Sequence, residues 1–120
     1  MNQCKTGRNA EQAAAGYLKA RGYQIWKTNW RWGKRELDLV TLHNNELVIV
    51  EVKSRVGNAV NDPSVVVDHI KERNIVLAAE AFIRLHDCSR PTRFDVIAVI
   101  YSGSGMEIEH IENAFYPLAE

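Results

Sequence analysis

The sequence predicts an α/β protein: a mixed β-sheet flanked by helices, in the order α-β-β-β-α-β-β. Three observations carry this. Apolar residues recur at helical spacing near residues 8–21 and again over residues 66–86. Between them, two strand-like runs, residues 36–42 and 47–53, bracket His43-Asn44-Asn45-Glu46, which reads as a tight turn because Asn tolerates positive φ. After the second helix comes RFDVIAVIY, a strong apolar strand over residues 93–101, so one helical crossover joins strands of a single sheet.

The first helix has Ala10, Ala13, Ala14, Tyr17 and Leu18 on its apolar face, with Thr6 or Asn9 as cap and Gly22 as its stop. Glu11 sits on the shoulder of that face. Either it points toward the body of the protein, or it is a first-turn acid favoured by the helix dipole. A strand over residues 23–30 follows, then the hairpin, then a loop over residues 56–63, rich in Gly, Asn and Pro. In the second helix Val67, Ile70, Leu77, Ala78, Ala81, Phe82 and Leu85 line one side. Ser102-Gly103-Ser104-Gly105 is a turn, too short to be a phosphate loop, and a last short strand covers residues 106–111.

At 120 residues the chain fits one domain, residues 1–120, large enough for a core without disulfides or a structural metal. Hydrophobic residues make up 46% and charged residues 25%, as in ordinary globular proteins. Cys4 and Cys88 read as free thiols in a reducing cytosol. His43, His69, His86 and His110 are scattered, and no Cys/His spacing suits zinc. The polar start MNQCKTGRNAEQ is not a signal peptide, and no apolar run is long enough to span a bilayer, so the expected location is cytoplasmic.

Fifteen basic and fifteen acidic residues cancel, so the chain as a whole lacks a strongly basic footprint. Locally the balance differs. Residues 19–35 hold Lys19, Arg21, Lys27, Arg31, Lys34 and Arg35, no acid, and Trp26, Trp30 and Trp32. Such a stretch can track a phosphate backbone and stack on bases. It also fits a solvated strand edge whose tryptophans pack inward.

The hairpin carries the chemistry. With the turn centred on Asn44-Asn45, Asp38 falls opposite Glu51 and Glu36 opposite Lys53, all four on one face with Val40 and Ile49. Leu37, Leu39, Val48, Val50 and Val52 take the other face. Two carboxylates at roughly 4 Å repel by about 4 kcal/mol at an effective dielectric of 20, so something must offset them. Lys53, a bound proton or a divalent cation would do so. Mg²⁺ suits hard oxygen ligands and leaves room for substrate phosphate oxygens, and Lys53 beside it could orient a water or stabilise phosphate charge. A plain ion-pair network, Glu36 with Lys53 and Asp38 with Arg35 or Arg55, fits the pattern equally well.

The motifs ELDLV and VIVEVKSR resemble the PD-(D/E)xK nuclease superfamily, whose fold is restriction-endonuclease-like. The first-helix segment GRNAEQAAAGYLKARGYQI is similar to that of archaeal Holliday-junction resolvases. NWR, VEVKSR, Lys71, RFDVIAV and NAF together resemble the YraN family of small uncharacterised bacterial proteins over nearly the whole chain. Where that family usually has G-E-I-D-L, this chain has R-E-L-D-L, with Arg35 in place of glycine.

The resemblance implies a metal-dependent endonuclease acting on DNA, structure-selective and acting as a homodimer on symmetric junctions. It implies Asp38 and Glu51 as ligands of Mg²⁺ or Mn²⁺, joined by the Val52 carbonyl and by Glu11 directly or through water. Lys53 would position the nucleophile. Lys27, Arg31, Lys34, Arg35, Arg55 and Lys71 would contact phosphates. Arg93 and Asp95 read as a structural ion pair. The other reading is a non-catalytic nucleic-acid-binding module with a remnant acidic site.

Overall fold

The computed structural model describes residues 3–56 and 69–115, with side chains from residue 9 onward. The expected loop over residues 57–63 and the start of the second helix, with Val67, lie outside the described residues. The elements are α1 (Gln3–Ala20), β1 (Gln24–Trp32), β2 (Arg35–His43), β3 (Glu46–Val56), α2 (His69–Leu85), β4 (Thr92–Ser102) and β5 (Gly105–Phe115). The predicted order holds. The five strands form one sheet in the order β1-β2-β3-β4-β5, parallel only between β3 and β4. The α2 crossover makes that parallel pair, and hairpins make the rest.

Local chemistry sets the boundaries. α1 begins at Gln3, so Thr6 and Asn9 lie inside it rather than capping it; no proline interrupts the polar first turns. Its stop is as expected. Gly22 adopts φ 91°, its N–H bonds to the Lys19 carbonyl, and the Tyr23 N–H reaches back to the Leu18 carbonyl. That is a Schellman ending, with Tyr23 and Leu18 closing the apolar contact. Tyr23 therefore belongs to the helix stop, and the strand starts one residue later.

Helices cover both faces of the sheet. Ala10, Ala14 and Leu18 of α1 pack with Leu39, Val48, Val50, Ile97 and Val99. Ile75, Ala78, Ala79 and Phe82 of α2 pack with Val40, Leu47, Ile49 and Phe94. Trp26 and Trp30 join the α2 side, each edge-on to Phe82 at 5.0 and 5.2 Å. For these two the inward-packing alternative is the observed one. Ile70 and Leu85, expected on the buried side of α2, are exposed because they sit at the helix ends, past the edge of the sheet contact. The buried set centres instead on Ile75, Ala78, Ala79, Ala81 and Phe82. The Cys88 thiol is free. Among the described residues no helix is long and apolar enough to cross a membrane.

Candidate active site

The β2–β3 turn has Asn44 at φ 49° and Asn45 at φ 67°, the pair of positive values that a twisted two-residue hairpin needs. It fixes the predicted register, from His43↔Glu46 through Val40↔Ile49 to Leu39↔Val50. There the ladder stops. The Asp38 carboxylate takes the place of a backbone partner: its Oδ2 accepts the Val52 N–H at 2.9 Å. β1 changes conformation at the same level. Asn29, φ 51°, lies opposite Asp38, between the pairs Thr28↔Leu39 and Trp30↔Leu37. With the strands parted and the sheet twisting, Leu37 packs on the α2 side instead of with Leu39.

Past this break a cleft of about 220 Å³ opens, lined by Lys34, Arg35, Glu36, Asp38, Glu51, Lys71, Asn74 and Ile75. β2 and β3 supply the acids, the β1–β2 turn supplies Lys34, and the first turns of α2 supply Lys71 and Asn74. Glu51 is buried. Its Oε2 lies 2.7 Å from Lys71 Nζ and 3.8 Å from Lys53 Nζ. Burial, then the Glu51 charge, pushes the Asp38 carboxyl up to about 8, with a smaller contribution from the charge of Glu11. Glu11 is thus the α1 residue that acts on the pair, and it is half-buried. Burial and the neighbouring Lys71 ammonium hold Lys53 below the ordinary lysine value, against the pull of Glu51. Burial works the same way on Lys71, but its hydrogen bond to Glu51 and the charge there outweigh it and raise it.

The predicted contacts are redistributed. Glu36 faces Arg31 across β1–β2, at 4.0 Å, rather than Lys53. Lys53 turns to Glu51, because the parted strands carry Glu36 outward toward β1. Arg35 sends its Nε to Asn74 Oδ1 at 3.2 Å and ties β2 to α2. Arg55 Nη1 donates to the Ser54 carbonyl at 2.8 Å. Lys27 is exposed on β1, away from the cleft lining, and Arg31 is exposed beside Glu36. Of the six predicted phosphate contacts, Lys34, Arg35 and Lys71 line the cleft. Sequence reasoning missed Asn74, whose place in the cleft depends on how α2 seats on the sheet.

Hard oxygen donors are present in the Asp38–Glu51 pair. Among the described residues no three Asp, Glu, His or Cys side chains gather closely enough to hold a metal by themselves. Glu11 acts on Asp38 through its charge. In a strand the N–H and C=O of one residue leave on the same side, so the Val52 carbonyl faces the Asp38 side. Of the predicted set, Asp38, Glu51 and the Val52 backbone lie at this end of the hairpin, and Glu11 is linked to it by its charge on Asp38.

On the other face of the sheet, Arg93 and Asp95 form the expected ion pair: Nε to Oδ1 at 2.9 Å and Nη2 to Oδ2 at 2.8 Å. His110 Nε2 lies 2.7 Å from the same Oδ2, and the Asn113 N–H donates to Oδ1 at 3.1 Å.

Fold and cleft together define an α/β protein with a carboxylate pair, Glu51 buried and Asp38 half-buried, at the break of a hairpin that opens onto basic side chains. A family model described as uncharacterised protein family UPF0102 matches residues 10–99. The chain belongs to this family, the YraN family that its motifs resemble. A UPF0102 protein of Bacteroides thetaiotaomicron is 45% identical over 111 residues, covering 92% of each chain. One from Parabacteroides distasonis is 42% identical over 110 residues, covering 92% of this chain and 91% of the relative. One from Chlorobium chlorochromatii is 39% identical over 119 residues, covering 94% and 92%.

Proposed function

We propose that this chain is a cytoplasmic, metal-dependent endonuclease of the PD-(D/E)xK type that hydrolyses DNA phosphodiester bonds and selects for DNA structure. The observation that carries the reading is the Asp38–Glu51 pair. Asp38 is pushed up to about 8 by burial and by Glu51, while both lysines lie against Glu51. Among the described residues the short lysine contact goes to Glu51, while Asp38 meets Lys71 through charge alone. A divalent cation, Mg²⁺ or Mn²⁺, fits this donor set of two carboxylates and a backbone carbonyl. When bound, it would supply Lewis-acid polarisation of a phosphate oxygen and a water more easily deprotonated.

The chain's own residues do the rest. The Val52 N–H holds the Asp38 carboxylate in place. Lys53, kept below the usual lysine value, lies beside Glu51, where it can orient a water or meet developing phosphate charge. Lys34, Arg35 and Lys71 stand along the cleft as phosphate contacts. Arg55, Arg31 and Lys27 extend the basic surface along β3 and β1.

The test is cleavage of branched, flapped and linear DNAs with Mg²⁺ or Mn²⁺, wild type beside Lys53→Ala. The expected outcome is cutting by wild type and a loss of at least ~100-fold in Lys53→Ala. Equal cutting by both sinks the reading. A second reading, a non-catalytic nucleic-acid-binding module, is favoured by the 2.7 Å contact of Lys71 with Glu51, which neutralises that acid without a metal. It predicts salt-dependent DNA binding and no cutting by wild type under any metal. Light scattering at micromolar concentration tests the homodimer that symmetric junction cutting requires.

A further inference from the structure

Trp26 and Trp30 are packed against Phe82, but Trp32 is 40% exposed. A tryptophan left in water is a large apolar surface kept out of the core. It is also held in place. The Trp32 ring lies parallel to that of Trp30, with 1° between planes and 6.5 Å between centroids, and Trp30 is itself fixed edge-on to Phe82 at 5.2 Å. Trp32 is the last residue of β1, an edge strand of the sheet, and pairs with Arg35 across the two-residue turn Gly33-Lys34. Gly33 adopts φ 62° there. Lys34 and Arg35 line the cleft that contains Asp38 and Glu51, and Arg31 precedes the ring in the chain. A braced aromatic ring thus stands at the end of the strand whose turn supplies Lys34 and Arg35 to the cleft.

We infer that Trp32 is a stacking platform for an unpaired base, which makes the cleft selective for DNA with a single-stranded segment next to the phosphate that it engages. This rests on the nuclease reading above. The flanking cations match a polyanion, and the ring matches the one apolar surface that a polyanionic strand offers, the face of a base. In a continuous duplex both faces of every base are covered by neighbours in the stack. Only a flap, a gap, a fork or a free strand exposes one. Lys34 and Arg35 hold the backbone, and Trp32 reads whether the base beside it is unpaired.

The test is fluorescence anisotropy in EDTA, so that cleavage plays no part, with a labelled oligothymidine and a labelled blunt duplex of mixed sequence. Trp32→Leu keeps apolar bulk and cannot stack. It is expected to bind the single strand ~10-fold more weakly and the duplex within about threefold of wild type. Trp32→Phe, which still stacks, is expected to stay within about threefold on both. A 2-aminopurine at an unpaired position should be quenched by wild type and Trp32→Phe, not by Trp32→Leu. The inference is overturned if Trp32→Leu binds oligothymidine like wild type, or weakens both DNAs equally while melting normally. It is overturned if wild type binds neither DNA, whereas the nuclease reading stands or falls on the cleavage test with metal. Wild-type binding to both, with the Trp32→Leu ratio unchanged, removes the stacking role alone.

Discussion

Asp38 and Asp95 are acids of the same sheet, and their surroundings oppose each other. Asp95 is fully buried, yet every approach to it is a donor: two guanidinium nitrogens of Arg93, His110 and the Asn113 N–H. Burial works against its charge, but the hydrogen bonds from His110, Arg93 and Asn113 outweigh that and hold its carboxyl below the ordinary value. Arg93 is itself anchored, donating to the Tyr23 hydroxyl at 2.6 Å and to Glu46 at 3.2 Å. Asp38 has one backbone N–H, a second carboxylate opposite, and lysines that favour Glu51. The difference separates two uses of a charge taken out of water, wholly at Asp95 and partly at Asp38. Around Asp95 the protein completes the network and gains a fixed sheet. Around Asp38 the described residues supply one backbone donor and a repelling carboxylate, a set of hard oxygens that a cation or a proton can enter.

The comparison breaks most visibly at Asp95. Asp95→Ala strands Arg93 and His110 and should cost about 3–5 kcal/mol in urea unfolding. A loss under about 1 kcal/mol would mean that the network holds nothing together. Asp38→Asn should act in the opposite direction, raising stability by about 1–2 kcal/mol near pH 8 while abolishing cleavage. The pH dependence sharpens this. The Asp38 carboxyl is raised from 3.8 to about 8 in the folded state. Between those values the unfolded chain has released a proton that the folded chain keeps, so this group lowers stability as pH rises through that window. Asp38→Asn removes the slope. Asp95, shifted downward, contributes stability that is present above its unfolded value of 3.8 and lost as pH falls through its lower folded value. A stability profile in which Asp38→Asn and wild type run parallel from pH 4 to pH 8 would sink the contrast. The smallest expected effect is that of the cation. Millimolar Mg²⁺ should stabilise wild type by about 1 kcal/mol, seen as a few degrees of melting temperature, and leave Asp38→Asn unmoved.

Much of this was legible because it is local. The Asn44-Asn45 turn and the two-residue period set the register as far as Leu39↔Val50, and the Asp38 and Glu51 side chains meet just past it. Arg93 and Asp95, two apart on β4, meet on one face for the same reason. The remainder depended on how elements seat against each other. Lys71 reaches Glu51 because α2 places its first turn over the end of β3, which no periodicity encodes. His110 and the Asn113 N–H reach Asp95 because β5 runs to Phe115 and shifts register between Phe94 and Val96, where a shorter, regular strand was expected. Ile70 and Leu85 fit the helical stripe yet lie beyond the sheet that would cover them. The basic, Trp-rich stretch divided in two, since Phe82 accepts Trp26 and Trp30 while Trp32 stacks on Trp30 and stays exposed.

The Asn44-Asn45 hairpin also carries a rule of parity. Glu51 meets Asp38 because both strands count outward from that turn in step. Adding or deleting one residue there would bring Val50 or Val52 to the cleft and turn Glu51 to the α1 side, among Leu39 and Val48. Two residues would restore the facing. Inheritable changes of length in this arm should therefore come in pairs, because an odd one would lose the acid pair and bury the Glu51 carboxylate among apolar side chains.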